Sequence, residues 1–257
     1  MRLCAERRNA ALIYWKNSTA SSHMKIDIIL PCYNPIPGWS NNIIQSYQHI
    51  LELAPQFQIR IILVNDGSLH NVSEQDFEKL SATLPHFHPI QYAPNRGKGY
   101  AIRKGAEVAD APYVLFTDID FPYLDEDLIA MAQRLQEAKA DIVVGVRAGD
   151  YYQNVPIWRA FISKMLKLMI RTLLRVKITD SQGGLKGFSQ KGLSVLKSTR
   201  IDRYLFDLEL IKLASQRKDI DLQPMVVNLK PHVVFAPVGL AILRREFGNF
   251  LKVLFMR

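Results

Sequence analysis

The chain predicts an α/β protein: a single domain on a doubly wound, mostly parallel sheet, flanked by basic amphipathic helices. Two observations carry that expectation. From residue 25 to about residue 145, apolar β-branched runs alternate with helical stretches across short polar loops, the order that builds a parallel sheet. Runs such as Ile59–Val64 (IRIILV) are almost continuously apolar, as a strand covered on both faces must be.

The elements follow in order. Lys25–Pro31 (KIDIILP) is a strand ended by proline, and Trp39–Ala54 a helix. Ile59–Val64 is a strand, Ser73–Leu84 a helix, and residues 87–92 a short strand. Gly97–Ala109 is helical, Pro112–Thr117 (PYVLFT) a strand, Asp125–Ala138 a helix and Asp141–Val146 a strand. Thr179–Phe188 (TDSQGGLKGF) reads as a glycine-rich loop, Phe206–Leu213 begins a helix, and Asp219–Leu229 closes the core with apolar strands.

Residues 1–24 lack periodicity, and Ser21-Ser22-His23-Met24 resembles a cloning scar. They are expected to be a disordered leader or tag-like segment, with the domain at 25–230 and a basic amphipathic tail at 231–257. No run of about 18 uncharged apolar residues occurs, so no spanning segment is expected. Cys4 and Cys32 form no CxxC pair or metal spacing, which suits a reducing, cytoplasmic compartment.

The formal net charge of +9 favours an anionic partner. Trp158–Lys177 carries Arg159, Lys164, Lys167, Arg171, Arg175 and Lys177 and no acid. Its basic residues recur at three- and four-residue spacing among Phe161, Met165, Leu168 and Met169. That pattern suits a helix lying on an anionic membrane surface; a packed helix with a solvated basic face is the alternative. Residues 239–257 repeat the mixture. Basic residues beside apolar ones, with no nucleic-acid motif, argue against a nucleic-acid partner.

In doubly wound sheets ligands bind beyond the carboxyl ends of the strands. Three polar clusters sit there: Cys32-Tyr33-Asn34-Pro35, Asn65-Asp66-Gly67-Ser68 and Asp118-Ile119-Asp120. Each alone is an ordinary turn; together they predict one convergent edge. Asp118 and Asp120, two apart in extended geometry, point the same way. They can hold a hard divalent cation or contact a ligand's hydroxyls. Asn95-Arg96-Gly97-Lys98-Gly99 opens a helix, where glycines permit close backbone approach and Lys98 favours an anion. Walker A and GxGxxG patterns are absent, as are hydrolase triads and zinc clusters.

The order ILPCYNP, ILVNDGS, NRGKGYAIRKG, FTDIDF, VVGVR, TDSQGGLKGF and FDLEL resembles the family 2 glycosyltransferases of GT-A fold. It is most similar to the branch that makes dolichyl-phosphate and other polyprenyl-phosphate sugars. The resemblance covers roughly residues 25–230, and TDSQGGLKGF with FDLEL is its most specific part. It implies an inverting hexosyltransferase that uses a nucleotide-diphosphate sugar (UDP-glucose or GDP-mannose), Mg²⁺ or Mn²⁺, and polyprenyl phosphate, peripheral on the inner face of the membrane.

The resemblance also implies roles. Tyr33 and Asn34 line the nucleotide pocket, Asp66 binds the base, and Lys98 and Arg103 help hold the nucleotide. Asp118 approaches the ribose and Asp120 ligates the metal, with Asp118 as its second carboxylate. Arg147 sits by the phosphates and Arg159 and Lys164 by the acceptor phosphate, while Asp180, Gln182 and Lys186 form the acceptor side. Pro35, Asn65 and Gly183 depart from the family's usual residues, the last standing where relatives often have cysteine. The alternative within this fold is transfer to a saccharide hydroxyl in surface-polymer synthesis; an inactive relative that only binds nucleotide or membrane is argued against by both retained aspartates.

Overall fold

A computed structural model describes residues 23–137, 140–147, 183–231, 248, 249 and 253. The expected leader, the helix at 158–177 and most of the tail therefore lie outside the described residues.

Seven strands form one sheet: β1 (Met24–Cys32), β2 (Phe57–Asp66), β3 (Phe87–Tyr92), β4 (Tyr113–Phe116), β5 (Ile142–Arg147), β6 (Lys186–Ser189) and β7 (Leu222–Val227). Their order is β3-β2-β1-β4-β6-β5-β7. The helices are α1 (Trp39–Leu53), α2 (Glu74–Thr83), α3 (Lys98–Val108), α4 (Asp125–Glu137), α5 (Gln190–Ser198) and α6 (Phe206–Gln216).

Strand alternation sorts the core into two faces. Ile26, Ile28 and Leu30 of β1 and Ile59, Ile61 and Leu63 of β2 pack with Trp39, Ile43, Phe77, Leu128 and Met131 of α1, α2 and α4. Ile29, Ile62 and Val64 face the other way, onto Ala101, Ile102, Leu193 and Phe206 of α3, α5 and α6. The second face also buries Val253, a residue of the expected tail, whose carbonyl accepts a 2.5 Å hydrogen bond from Lys212 of α6.

From β1 the chain winds outward through β2 to β3, then α3 carries it back across the other face to β4. The crevice opens between β1 and β4. Their pairing ends at Ile29↔Phe116, while β1 pairs with β2 as far as Cys32↔Asn65. Pro31, which lacks an amide proton, falls past the end of the β4 ladder, where its missing donor breaks no bond to that strand.

Two elements depart from the sequence reading. Lys186–Ser189, within the expected loop, is strand β6, antiparallel to both β4 and β5, and α5 follows it. The strand has four residues, one of them Gly187, too short and too poor in β-formers to stand out. A Cβ on Gly187 would lie 2.8–3.0 Å from Leu135, Leu115 and Met131, so close packing of α4 on the sheet demands the glycine that hides the strand.

At the opposite end of the sheet a charged cluster is sealed under α3. Arg60 of β2 donates to both carboxylate oxygens of Asp27 of β1, at 2.7 and 2.6 Å, and to Asp110 at 2.5 Å. Asp27 is fully buried and Arg60 4% exposed. Asp27 also accepts the amides of Asp110 and Ala111, fixing where α3 ends and β4 begins. Removing Asp27 leaves Arg60 with Asp110 but breaks the buried bidentate pair and leaves the Asp110 and Ala111 amides without their acceptor, and breaking a buried pair costs about 3–5 kcal/mol. Asp27→Ala is expected to lose that much stability in urea unfolding, with an unchanged slope.

Candidate active site

The three polar clusters converge as expected, because β2, β1 and β4 are neighbours. The first two loops are bound to each other. Asn34, at φ 44°, accepts the amides of Leu69 at 2.8 Å and His70 at 3.1 Å through its side-chain oxygen. Its own amide donates to Ser68 Oγ at 3.0 Å. Asn34 thus builds the pocket wall, while Tyr33 beside it is half exposed at the mouth. Cys32 is buried, which pushes its thiol up to about 12, so it is an inert wall residue.

Asp66 is committed differently from the expectation. Its carboxylate accepts Asn95 Nδ2 at 2.7 Å and the amides of Arg96 and Gly97 at 2.7 and 2.8 Å. It is 2% exposed. The carboxylate therefore holds the turn that starts α3.

The glycines of NRGKG are also spent inside the protein. A Cβ on Gly97 would lie 2.5 Å from the Asp202 carbonyl, and one on Gly99 2.4 Å from that of Ile201. Asp202 also accepts the Tyr100 amide. These glycines admit the 201–203 segment onto the start of α3; the close approach expected for an anion belongs to protein backbone. Arg103 serves the same junction. Its guanidinium donates to the Ile201 carbonyl at 2.8 Å and Thr199 Oγ1 at 3.3 Å, and it pairs with Asp202.

The acidic pair lies at the crevice as expected. Asp118 forms an ion pair with Lys98. Burial works to lower the Lys98 ammonium, but Asp118 and Asp207 overcome it and raise it above its ordinary value. Lys98 stays charged. Asp120 stands at the open rim. Desolvation, then the charge of Asp118, raises its carboxyl above the usual range, against the pull of Lys98 and Lys230. Two carboxylates facing an opening fit a hard divalent ion that completes its shell with phosphate and water. Among the described residues no cluster of three His, Cys, Asp or Glu forms a cage.

Lys186 is fully buried on β6, donating to Gly183 O at 2.6 Å and Asp207 Oδ1 at 2.7 Å, with its ammonium 5.1 Å from the centre of the Phe116 ring. Arg147 ends β5, opposite Val227 of β7. Arg159, Lys164, Asp180 and Gln182 lie outside the described residues. Gly183 has no room for a side chain, since a Cβ would lie 2.1 Å from the Gly145 carbonyl.

Sequence reasoning assigned no role to Asp207, Glu209 or Tyr123. Asp207 pairs with Lys186. Glu209 accepts the amides of Arg200 and Ile201 at 2.7–2.9 Å, fixing the segment that covers Gly97 and Gly99. Tyr123 accepts the Gly184 amide at 2.7 Å. The available signal was the FDLEL run, whose acids alternate with apolar residues on an otherwise buried helix.

Because Asp66 holds amides of its own chain, Asp66→Ala is expected to lower the stability of the unliganded protein by about 1–3 kcal/mol, the cost of buried donors left unmet. A role confined to a ligand would leave the unliganded melting curve unchanged.

Residues 27–196 match the family model "Glycosyl transferase family 2". The chain is 26% identical over 211 residues to a dolichyl-phosphate beta-glucosyltransferase of Drosophila melanogaster, covering 77% of this chain and 65% of that protein. It is 27% identical over 187 residues to the Saccharomyces cerevisiae protein of the same name, covering 65% and 56%. It thus spans about two thirds or less of these relatives' length. The glucosyl-3-phosphoglycerate synthase of Mycobacterium tuberculosis, solved with Mn²⁺, UDP and glucosyl-3-phosphoglycerate, superposes with a TM-score of 0.66 at 13% identity over 91% of this chain and 81% of that one. A mannosyltransferase of Pyrobaculum calidifontis, in complex with GDP-Man and Mn²⁺, gives 0.58 at 17% identity over 99% and 73%. These likenesses bear on the fold, which is the GT-A arrangement of a mostly parallel, doubly wound sheet. With its family match over most of the chain and its acidic pair at the strand edge where β1 and β4 part, the protein belongs to the family 2 glycosyltransferases.

Proposed function

We propose that the protein transfers a hexose, with inversion, from a nucleotide-diphosphate sugar to polyprenyl phosphate at the cytoplasmic face of a membrane. The observation that carries this is the Asp118–Asp120 pair beside Lys98 at the switch point of the sheet, in a chain whose relatives include dolichyl-phosphate beta-glucosyltransferases.

The donor would lie across the ends of β2, β1 and β4. Asn34 and Asp66 fix the walls of that trough through the loops they bind. Asp118 and Asp120 would hold Mg²⁺ or Mn²⁺, which supplies charge neutralisation to the leaving diphosphate when bound. Lys98 keeps a permanent positive charge next to Asp118. A polyprenyl phosphate is already ionised near neutral pH, so positioning and electrostatics carry the reaction.

Charge distribution supports the membrane surface. Residues 158–177 hold six basic residues and no acid, and residues 239–257 hold four and one. These two segments together equal the whole +9. Each basic residue near an anionic leaflet contributes about 1 kcal/mol. Among the described residues no helix is long and apolar enough to cross a membrane.

Two outcomes are expected. Radiolabelled UDP-glucose or GDP-mannose, with Mn²⁺ and polyprenyl phosphate, should yield label extractable into organic solvent, and Asp120→Ala should lower that yield on the order of a hundredfold while keeping the wild-type melting temperature. Label on soluble saccharide alone would make the hydroxyl-acceptor reading the better one. Charge reversal at Lys164, Lys167 and Arg171 should abolish flotation with anionic liposomes and leave nucleotide binding intact; normal flotation of that variant would remove the docking role of the segment.

A further inference from the structure

A fully buried lysine on a four-residue central strand needs a reason. Lys186 sits opposite Phe116 of β4, two residues before Asp118, and beside Val144 of β5. An apolar side chain would serve that core position as well, because a buried ion pair contributes little net stability over well-packed apolar residues. Two of its hydrogen bonds lead toward the crevice. Lys186 Nζ donates to the Gly183 carbonyl at 2.6 Å and to Asp207 at 2.7 Å. The next residue, Gly184, gives its amide to Tyr123 Oη at 2.7 Å. A Cβ on Gly184 would lie 2.5 Å from Asp118 Oδ2, so this turn is pressed against the carboxylate. The other oxygen of Asp118 takes Lys98. Asp207 stands within electrostatic reach of both Lys98 and Asp118.

We propose that the Lys186–Asp207 pair positions Asp118 from beneath, through the Gly183–Gly184 turn on one oxygen and Lys98 on the other, and so sets the affinity of the crevice for a divalent cation carrying a nucleoside diphosphate. The inference rests on the donor reading above. Asp118, Lys98, Asp207 and Lys186 alternate in sign. Loss of the Asp207 charge removes one of the carboxylates that act on Lys98. Lys98 then has a single carboxylate to serve, and it competes with the metal for Asp118. Loss of Lys186 frees the Gly183 carbonyl and the turn that bounds Asp118. Neither residue touches substrate, so both are positioning residues.

The test uses the full chain, with Mn²⁺–UDP and Mn²⁺–GDP as probes in calorimetry. Asp207→Asn removes the carboxylate that Lys186 pairs with; the double variant Asp207→Asn/Lys186→Met removes both charges at similar volume and should melt close to wild type. Both variants are expected to raise the dissociation constant of the metal–nucleotide roughly ten- to hundredfold, the usual cost of losing a group that orients a ligand-bearing carboxylate. Binding in excess EDTA should match wild type. Hydrogen exchange at the Gly184 amide should accelerate in the double variant. Wild-type affinity in either folded variant, or failure of both to fold, assigns the pair to the core and overturns the proposal. If wild-type protein binds neither nucleotide, the donor reading fails and takes this one with it; if wild type binds and the variants equal it, only the positioning role fails.

Discussion

The carboxylate of Asp66 turns the register of the sheet into the placement of the helix that crosses it. Asp66 is the last residue of β2, and it captures the two amides that begin the turn into α3. That fixes Lys98 at the head of α3, on Asp118 at the end of β4. The same turn exposes Gly97 and Gly99 to the 201–203 segment, which Glu209 holds by its amides. One buried acid on the second strand thus fixes a contact between the third helix and the fourth strand and, through the glycines, the approach to α6. A buried carboxylate can do this because each amide it takes would otherwise be an unmet donor.

The sheet was legible in the sequence because parallel strands buried on both faces write themselves as apolar runs. From β1 to β5 the elements end within about two residues of the expected limits, as is usual where periodicity is strong. Lys186–Ser189 was not legible. Its pairing partners lie far away in the chain, its glycine is there for α4, and its lysine is there for Asp207. Nothing local marks such a strand.

The site divides the same way. Strand ends told where Asn34, Asp66, Lys98, Asp118 and Asp120 would gather, since topology alone brings those loops together. They did not tell which acids face a ligand and which face the protein. Asp66, Lys186 and Arg103 are the residue types a ligand-binding role would use, and each closes a contact within the chain that the sequence does not announce. A sequence lists donors and acceptors without their partners, and a buried polar group must find one.

That accounting bears on the acceptor. A general base must be free to take a proton. Around the crevice, among the described residues, Asp118 is paired with Lys98, Asp207 with Lys186, and Asp66 with three N–H groups. Asp120 is exposed at the rim, where a bound cation would engage it. A sugar hydroxyl would ask one of these groups to leave its partner and accept a proton. A phosphate asks for no such transfer; it needs positive charge and alignment, and a site whose acids are already committed can give both. For the ionised acceptor proposed above, the acids among the described residues can therefore stay with the partners they have.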